Sequence, residues 1–120
     1  MECSPDEQEI VYRDLKSLHS CIPVFLKDSV ADAHYNGFSN SILWPLFHYH
    51  PGEISFNEKH WIAYQEANEA FATALVSHIE NGDLVWIQDY HLMLLPLKLK
   101  QKLEGTGKEI KVRISHHHLY

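Results

Sequence analysis

The chain has 120 residues, enough for one small domain or part of a larger one. A hydrophobic content of 45% and an aromatic content of 12% exclude a disordered chain. The net charge is −6 and no basic run or stripe occurs, so neither nucleic acid nor an anionic membrane surface is an expected partner.

Two cysteines, Cys3 and Cys21, make no disulfide framework and read as reduced thiols. No apolar signal segment follows Met1. No apolar run reaches the roughly 18 residues that a bilayer span requires. A cytoplasmic location is therefore expected. Ten histidines are an excess: His19, His34, His48, His50, His60, His78, His91 and the run His116 to His118.

Ser4-Pro5-Asp6-Glu7 reads as a helix start, with Ser4 as cap, Pro5 in the first helical position and Glu7 where a capping box places it. Val11, Leu15 and Leu18 form one apolar stripe, and the helix is expected to end near His19. Cys21 to Leu26 is a short apolar run, read as a buried strand with Pro23 near its start. A short helix follows from Asp28 to Tyr35, broken by Asn36-Gly37. Ser39 to Phe47 forms a further helical turn or two, limited by Pro45. His50-Pro51-Gly52 is a loop.

His60 to Glu80 is the longest periodic segment, with Ala63, Ala67, Ala70, Phe71, Ala74 and Leu75 on one face and Asn81-Gly82 as its stop. Asp83 to Ile87 reads as a parallel strand buried on both faces. A helix from Leu92 to Leu103, a turn at Glu104 to Lys108 and a strand from Glu109 to Ile114 complete the order. Such alternation defines an α/β chain with a mostly parallel sheet.

Ligands in such sheets bind beyond the carboxyl ends of the strands. Asp89-Tyr90-His91 stands there. A carboxylate at 89 can bind a sugar hydroxyl; equally, it can cap the next helix. The stretch His34 to His50 is dense in aromatics and amides and nearly free of charge. Carbohydrate sites combine those two residue classes, and so does an aromatic loop shielding a sheet edge. His48 and His50 lack a metal-site spacing. A metal would need a third ligand such as His91, and histidines hydrogen-bonded to backbone are the simpler reading. No phosphate loop or hydrolase motif occurs.

YNGFSNSILWPLFHYHPGEISF, from Tyr35 to Phe56, and DLVWIQDYHLMLLP, from Asp83 to Pro96, resemble the trehalose-6-phosphate synthases, in their fungal form. CIPVFLKDSVADAHY upstream and the helix around Tyr64 to Asn68 fit as well, so the resemblance runs from about Asp6 to Lys111. It implies a two-lobed glycosyltransferase of the GT-B type, with this chain a partial Rossmann-like N-terminal lobe. Implied too is glucosyl transfer from UDP-glucose to glucose 6-phosphate, with retention and without metal or other cofactor. Carried over by position, Tyr35, Trp44 and Asp89 fall where the family binds the glucose 6-phosphate acceptor; no residue is assigned a catalytic role. Same-face attack needs positioning and charge stabilisation rather than a protein nucleophile. The cations that stabilise the leaving UDP belong to the other lobe.

The chain departs from the family pattern in three places. Gln88 stands where the family has His. Leu97-Lys98-Leu99-Lys100 replaces an arginine-ended version. From Arg113 to Tyr120 no family pattern remains, as a frame shift or misplaced splice boundary would produce. Residues 1–112 are thus expected to be the acceptor-side segment and 113–120 a foreign tail. The family's first strand and its glycine-containing loop precede the matched region. The chain alone is therefore expected to be inactive. The alternatives are a non-catalytic synthase-like subunit docking on a full-length synthase or other subunits of a trehalose complex, and a poorly folding product.

Overall fold

The computed structural model of the protein describes residues 4–47 and 56–115. Cys3, the His48 and His50 pair, the loop at His50-Pro51-Gly52 and the terminal run from His116 lie outside those residues. The first helix, α1, is Pro5–His19. Ser4 Oγ accepts the Glu7 N–H at 3.2 Å, as the capping reading requires. Ser20 closes the helix in the left-handed region, φ 52°, and the Cys21 N–H reaches back to the Leu15 carbonyl at 2.9 Å. The expected apolar stripe does not bury along its length: Leu18 is 72% exposed, and α1 contains no buried residue.

Cys21 to Leu26 does not form the expected strand. A strand is defined by a neighbour, and Pro23 offers no N–H to one. Ile22 and Val24 instead line an apolar cavity of about 300 Å³ together with Val85, Trp86 and Ile87.

The helix expected to break at Asn36-Gly37 continues. Helix α2, Asp28–Asp32, runs into a π-helical segment, Ala33–Leu43, and that into α3, Trp44–Phe47. The wide pitch shows in the bonds. The Trp44 N–H and the Ser41 hydroxyl each donate to a carbonyl five residues back, of Ser39 and Asn36. Gly37 is there for clearance. A Cβ at this position would lie 2.6 Å from Cγ of the His60 ring. Pro45 lies inside this continuing run, at the second position of α3, two residues before its last described residue.

Helix α4, Glu58–Val76, is capped by Asn57, whose side chain accepts the Lys59 N–H at 2.9 Å. It ends before the predicted stop, because the Ser77 hydroxyl and the His78 and Ile79 N–H groups take the last carbonyls. Strand β1, Leu84–Gln88, pairs in parallel with β2, Lys111–Ser115, from Leu84 opposite Lys111 to Gln88 opposite Ser115. Helix α5, Leu95–Leu103, connects them in a βαβ unit, with Pro96 in its first turn.

Two apolar clusters hold these elements. Ala72, Ile87, Leu95, Leu99 and Leu103 join α4 and α5 to the sheet. Each leucine buried this completely contributes about 1.5–3 kcal/mol. Phe38, Ile42 and Tyr64 join the π segment to α4. The expectation that β1 is buried on both faces fails. Side chains alternate along a strand, and α4 and α5 cover only the Val85 and Ile87 face. Leu84 and Trp86, on the other face, are 58% and 65% exposed.

Gly37→Ala is expected to destabilise the chain by about 1–3 kcal/mol, the usual cost of an overpacked core. Urea unfolding measures this, and adding His60→Ala should recover most of the loss. An unchanged midpoint for Gly37→Ala would show that the contact is not tight.

Candidate functional site

Asp89 is the first residue beyond β1, and strand geometry explains its conformation. Its N–H donates to the Ser115 carbonyl at 2.6 Å, extending the parallel ladder by one bond. The chain must then turn away from the sheet, and Asp89 does so at φ 62°. A left-handed conformation costs a non-glycine residue about 1–2 kcal/mol. Asp tolerates it because the side chain can bond nearby backbone, and Oδ1 accepts the Tyr90 N–H at 3.0 Å. The residue is 7% exposed. Asp89 does not cap α5, which starts at Leu95 after Leu94 with no side-chain cap bond.

Two buried polar residues of α4 hold the loop at 89–94. Tyr64 donates its hydroxyl proton to the Tyr90 carbonyl at 2.7 Å and accepts the Met93 N–H at 2.9 Å. Asn68, one turn further along, accepts the Leu94 N–H at 3.1 Å and donates to the Tyr64 carbonyl at 2.8 Å. Tyr64 is 1% exposed, and burial pushes its phenol up to about 12, so it stays a donor.

The π segment brings its aromatic residues against the same loop. His34 is buried, stacks on Tyr64 and donates from Nε2 to the His91 carbonyl at 2.6 Å. Tyr35, 52% exposed, lies over the His91 ring with centroids 5.2 Å apart and planes 7° apart. His91 in turn stacks on Tyr90 at 4.4 Å. Tyr90 donates to Asn40 Oδ1 at 3.3 Å, and its ring meets Phe47. Trp44 lies between Asn40 and Phe47 in the same segment, part-exposed at the head of α3. Tyr35 and Asp89 are thus joined through Tyr90 and His91, and Trp44 is carried by the segment that grips Tyr90 from both sides.

Burial holds both imidazoles, His34 and His91, below the usual histidine range. The Asp89 charge opposes that at His91, and the bond to the His91 carbonyl opposes it at His34. Burial first, then the charges of Asp89 and Tyr35, raise the Tyr90 phenol. Gln88 faces solvent and accepts the Ser115 hydroxyl at 3.2 Å, so it serves the end of the sheet. Among the described residues no three His, Cys, Asp or Glu side chains converge on a metal position. No described helix is long and apolar enough to cross a membrane. The cavity beside β1 is lined by none of Tyr35, Trp44 and Asp89.

The spacing of Tyr64 and Asn68 on an otherwise alanine-rich face was the available signal for the two residues that build this loop. His34, Asn40 and Tyr90 lie in the two segments that composition and position mark, but nothing in the sequence pairs one segment with the other.

A buried carboxylate in a strained turn just past a parallel strand, framed by stacked aromatic rings, stands where α/β lobes as a class bind ligands. The chain belongs to glycosyltransferase family 20, whose sequence profile matches residues 1–120. It is 56% identical over 111 residues to the UDP-forming alpha,alpha-trehalose-phosphate synthase of Schizosaccharomyces pombe, covering 92% of this chain and 22% of that protein. Identity to the enzyme of the same name from Emericella nidulans is 54% over 112 residues, covering 93% and 22%. The chain thus spans about a fifth of these relatives.

A solved synthase from Burkholderia vietnamiensis superimposes with a TM-score of 0.68 at 30% identity, over 77% of this chain and 20% of that one. A Burkholderia xenovorans synthase in complex with glucose-6-phosphate gives 0.68 at 29%, over 78% and 20%. An Escherichia coli structure bound with UDP-2-fluoro glucose gives 0.64 at 33%, over 72% and 19%. The fold is therefore part of a GT-B-type glycosyltransferase lobe, and the relatives place the chain with the proteins of trehalose biosynthesis.

Tyr64→Phe keeps the ring and removes the hydroxyl that serves two loop groups. It should cost about 1–3 kcal/mol in urea unfolding and speed amide exchange at Met93. Normal Met93 protection would show that the loop is held elsewhere. His34 and His91 bind fewer protons folded than unfolded. Their contribution is complete above the ordinary value of 6.5 and is lost as pH falls through the lowered folded values. The melting temperature should fall between about pH 8 and about pH 5. A His34→Gln, His91→Phe chain should show a shallower fall, and an unaltered pH profile would contradict the assignment.

Proposed function

We propose that this chain is the acceptor-side segment of a UDP-forming trehalose-phosphate synthase, working in the cytoplasm. The reaction is transfer of glucose from UDP-glucose to the anomeric hydroxyl of glucose 6-phosphate, giving trehalose 6-phosphate. The observation that carries this reading is the placement of Asp89: buried, strained, and linked to exposed Tyr35 through two stacked rings.

Each candidate has a role its chemistry suits. The Asp89 carboxylate accepts hydrogen bonds from acceptor hydroxyls. A buried carboxylate discriminates strongly, because an analogue lacking the hydroxyl leaves it unsatisfied. Tyr35 offers a phenol proton to an anionic oxygen and Trp44 an indole N–H and an apolar face. All three orient the acceptor for attack on the donor sugar, which is a positioning task. Donor binding and stabilisation of the departing UDP fall to parts of the full-length relatives that this chain does not span. On this reading the chain by itself catalyses nothing.

The open β1 face supports a second reading. Leu84 and Trp86 stand in solvent on an apolar strand, as on a module that docks on a full-length synthase or another subunit of a trehalose complex. Co-purification with a full-length synthase, abolished by Trp86→Glu, would select it.

The purified chain should show no glucose transfer from UDP-glucose to glucose 6-phosphate. Residues 4–115 grafted in place of the matching segment of the Schizosaccharomyces pombe enzyme should restore turnover. In that chimera Asp89→Asn should lower kcat/KM for glucose 6-phosphate by about a hundredfold or more. A chimera in which Asp89→Asn acts like wild type would overturn the acceptor assignment.

A further inference from the structure

The ring between Tyr90 and Tyr35 is used by no step above. Tyr35 is half-exposed on a helical segment, and its described ring contact is the His91 face. That contact is nearly parallel, 7°, and His91 is backed by Tyr90 at 4.4 Å. The backbone of His91 is fixed separately, by the bond from His34 to its carbonyl. Adjacent residues of the π segment, His34 and Tyr35, therefore clamp one loop residue by its main chain and by its ring. The ring nitrogens give no comparable reason for a histidine here. Nε2 is buried and has no hydrogen-bond partner among the described residues.

We propose that His91 is a positioning residue for the sugar-phosphate acceptor, its ring face setting where the Tyr35 phenol stands. The inference rests on the acceptor reading given above and adds a residue to it. Stacking fixes a ring in two dimensions at little entropic cost, because the phenol has few torsions to lose. Without the plate, Tyr35 samples its solvent rotamers, and acceptor binding must then order it. The contribution lies in the face of the ring and not in its nitrogens. Phenylalanine should therefore replace it, and asparagine, which keeps the polarity and loses the face, should not.

The test uses the full chain with labelled tyrosine, and the probe is glucose 6-phosphate. Tyr35→Phe identifies the Tyr35 ring signals. In the unsubstituted chain these should sit upfield, in the ring current of His91, and shift further on titration with glucose 6-phosphate. His91→Asn and His91→Leu should move them to the position of an exposed tyrosine and weaken glucose 6-phosphate by about tenfold. His91→Phe should keep the upfield position and bind within about threefold of the unsubstituted chain.

His91→Phe behaving like His91→Leu would overturn the proposal in favour of a nitrogen role. So would full-strength binding by His91→Leu or His91→Asn. No response of the unsubstituted chain to glucose 6-phosphate would instead overturn the acceptor reading, and the Tyr35 shifts in the variants would still report whether His91 holds the ring. A variant that fails to fold shows itself by loss of signal dispersion, and the remaining two still decide the question.

Discussion

The pair of buried side chains Tyr64 and Asn68 is the interaction on which the site depends. A loop that leaves a parallel strand and doubles back carries backbone N–H and C=O groups that no ladder satisfies. Here the Tyr90 carbonyl and the Met93 and Leu94 N–H groups all find partners on one turn of α4. Buried backbone groups of this kind are expensive to leave unpaired, so the loop has one low-energy path. That path puts Asp89 in a left-handed turn and His91 under Tyr35. The helix is a template, and the loop is cast on it.

The same arrangement explains how strain at Asp89 persists. The left-handed turn alone would relax if the following residues could move. They cannot move without breaking bonds to Tyr64 and Asn68, and the Asp89 N–H is itself fixed to Ser115. Over-determination by neighbours is how strained residues survive at functional sites. The price is met by helix packing, since α4 is anchored to α5 and the sheet through Ala72, Leu95 and Leu99. Fold stability and site geometry thus share one element.

Local features of this architecture were legible and non-local ones were not. Ser4 as a cap and the strand from Leu84 needed only neighbouring residues to be read, and both stand. Gly37 was read as a breaker because glycine looks alike in a turn and at a close approach. Only the ring of His60, distant in sequence, distinguishes them. The run at Cys21 to Leu26 has strand composition, but pairing is a property of two segments, and composition describes one. At the site, position beyond a strand and residue chemistry point to Asp89 and to the stretch holding Tyr35 and Trp44, and only the family strings single out those two within it. The residues that place them act across separations of 26 to 57 positions. No local pattern encodes that distance.

The unequal treatment of the two sheet faces bears on what a chain of this extent can do. The face of β1 toward α4 and α5 packs against those helices and borders the apolar cavity, and the bonds from Tyr64, Asn68 and Ser115 to the Asp89 loop lie on that side or at the strand's end. The opposite face, with Leu84 and Trp86, is exposed. The geometry around Asp89 is therefore a local product of a βαβ unit and the helices before it. Glucosyl transfer also requires a donor held at the right distance and a stabilised leaving group. The described geometry at the end of β1 is set by elements within this chain, independently of either requirement.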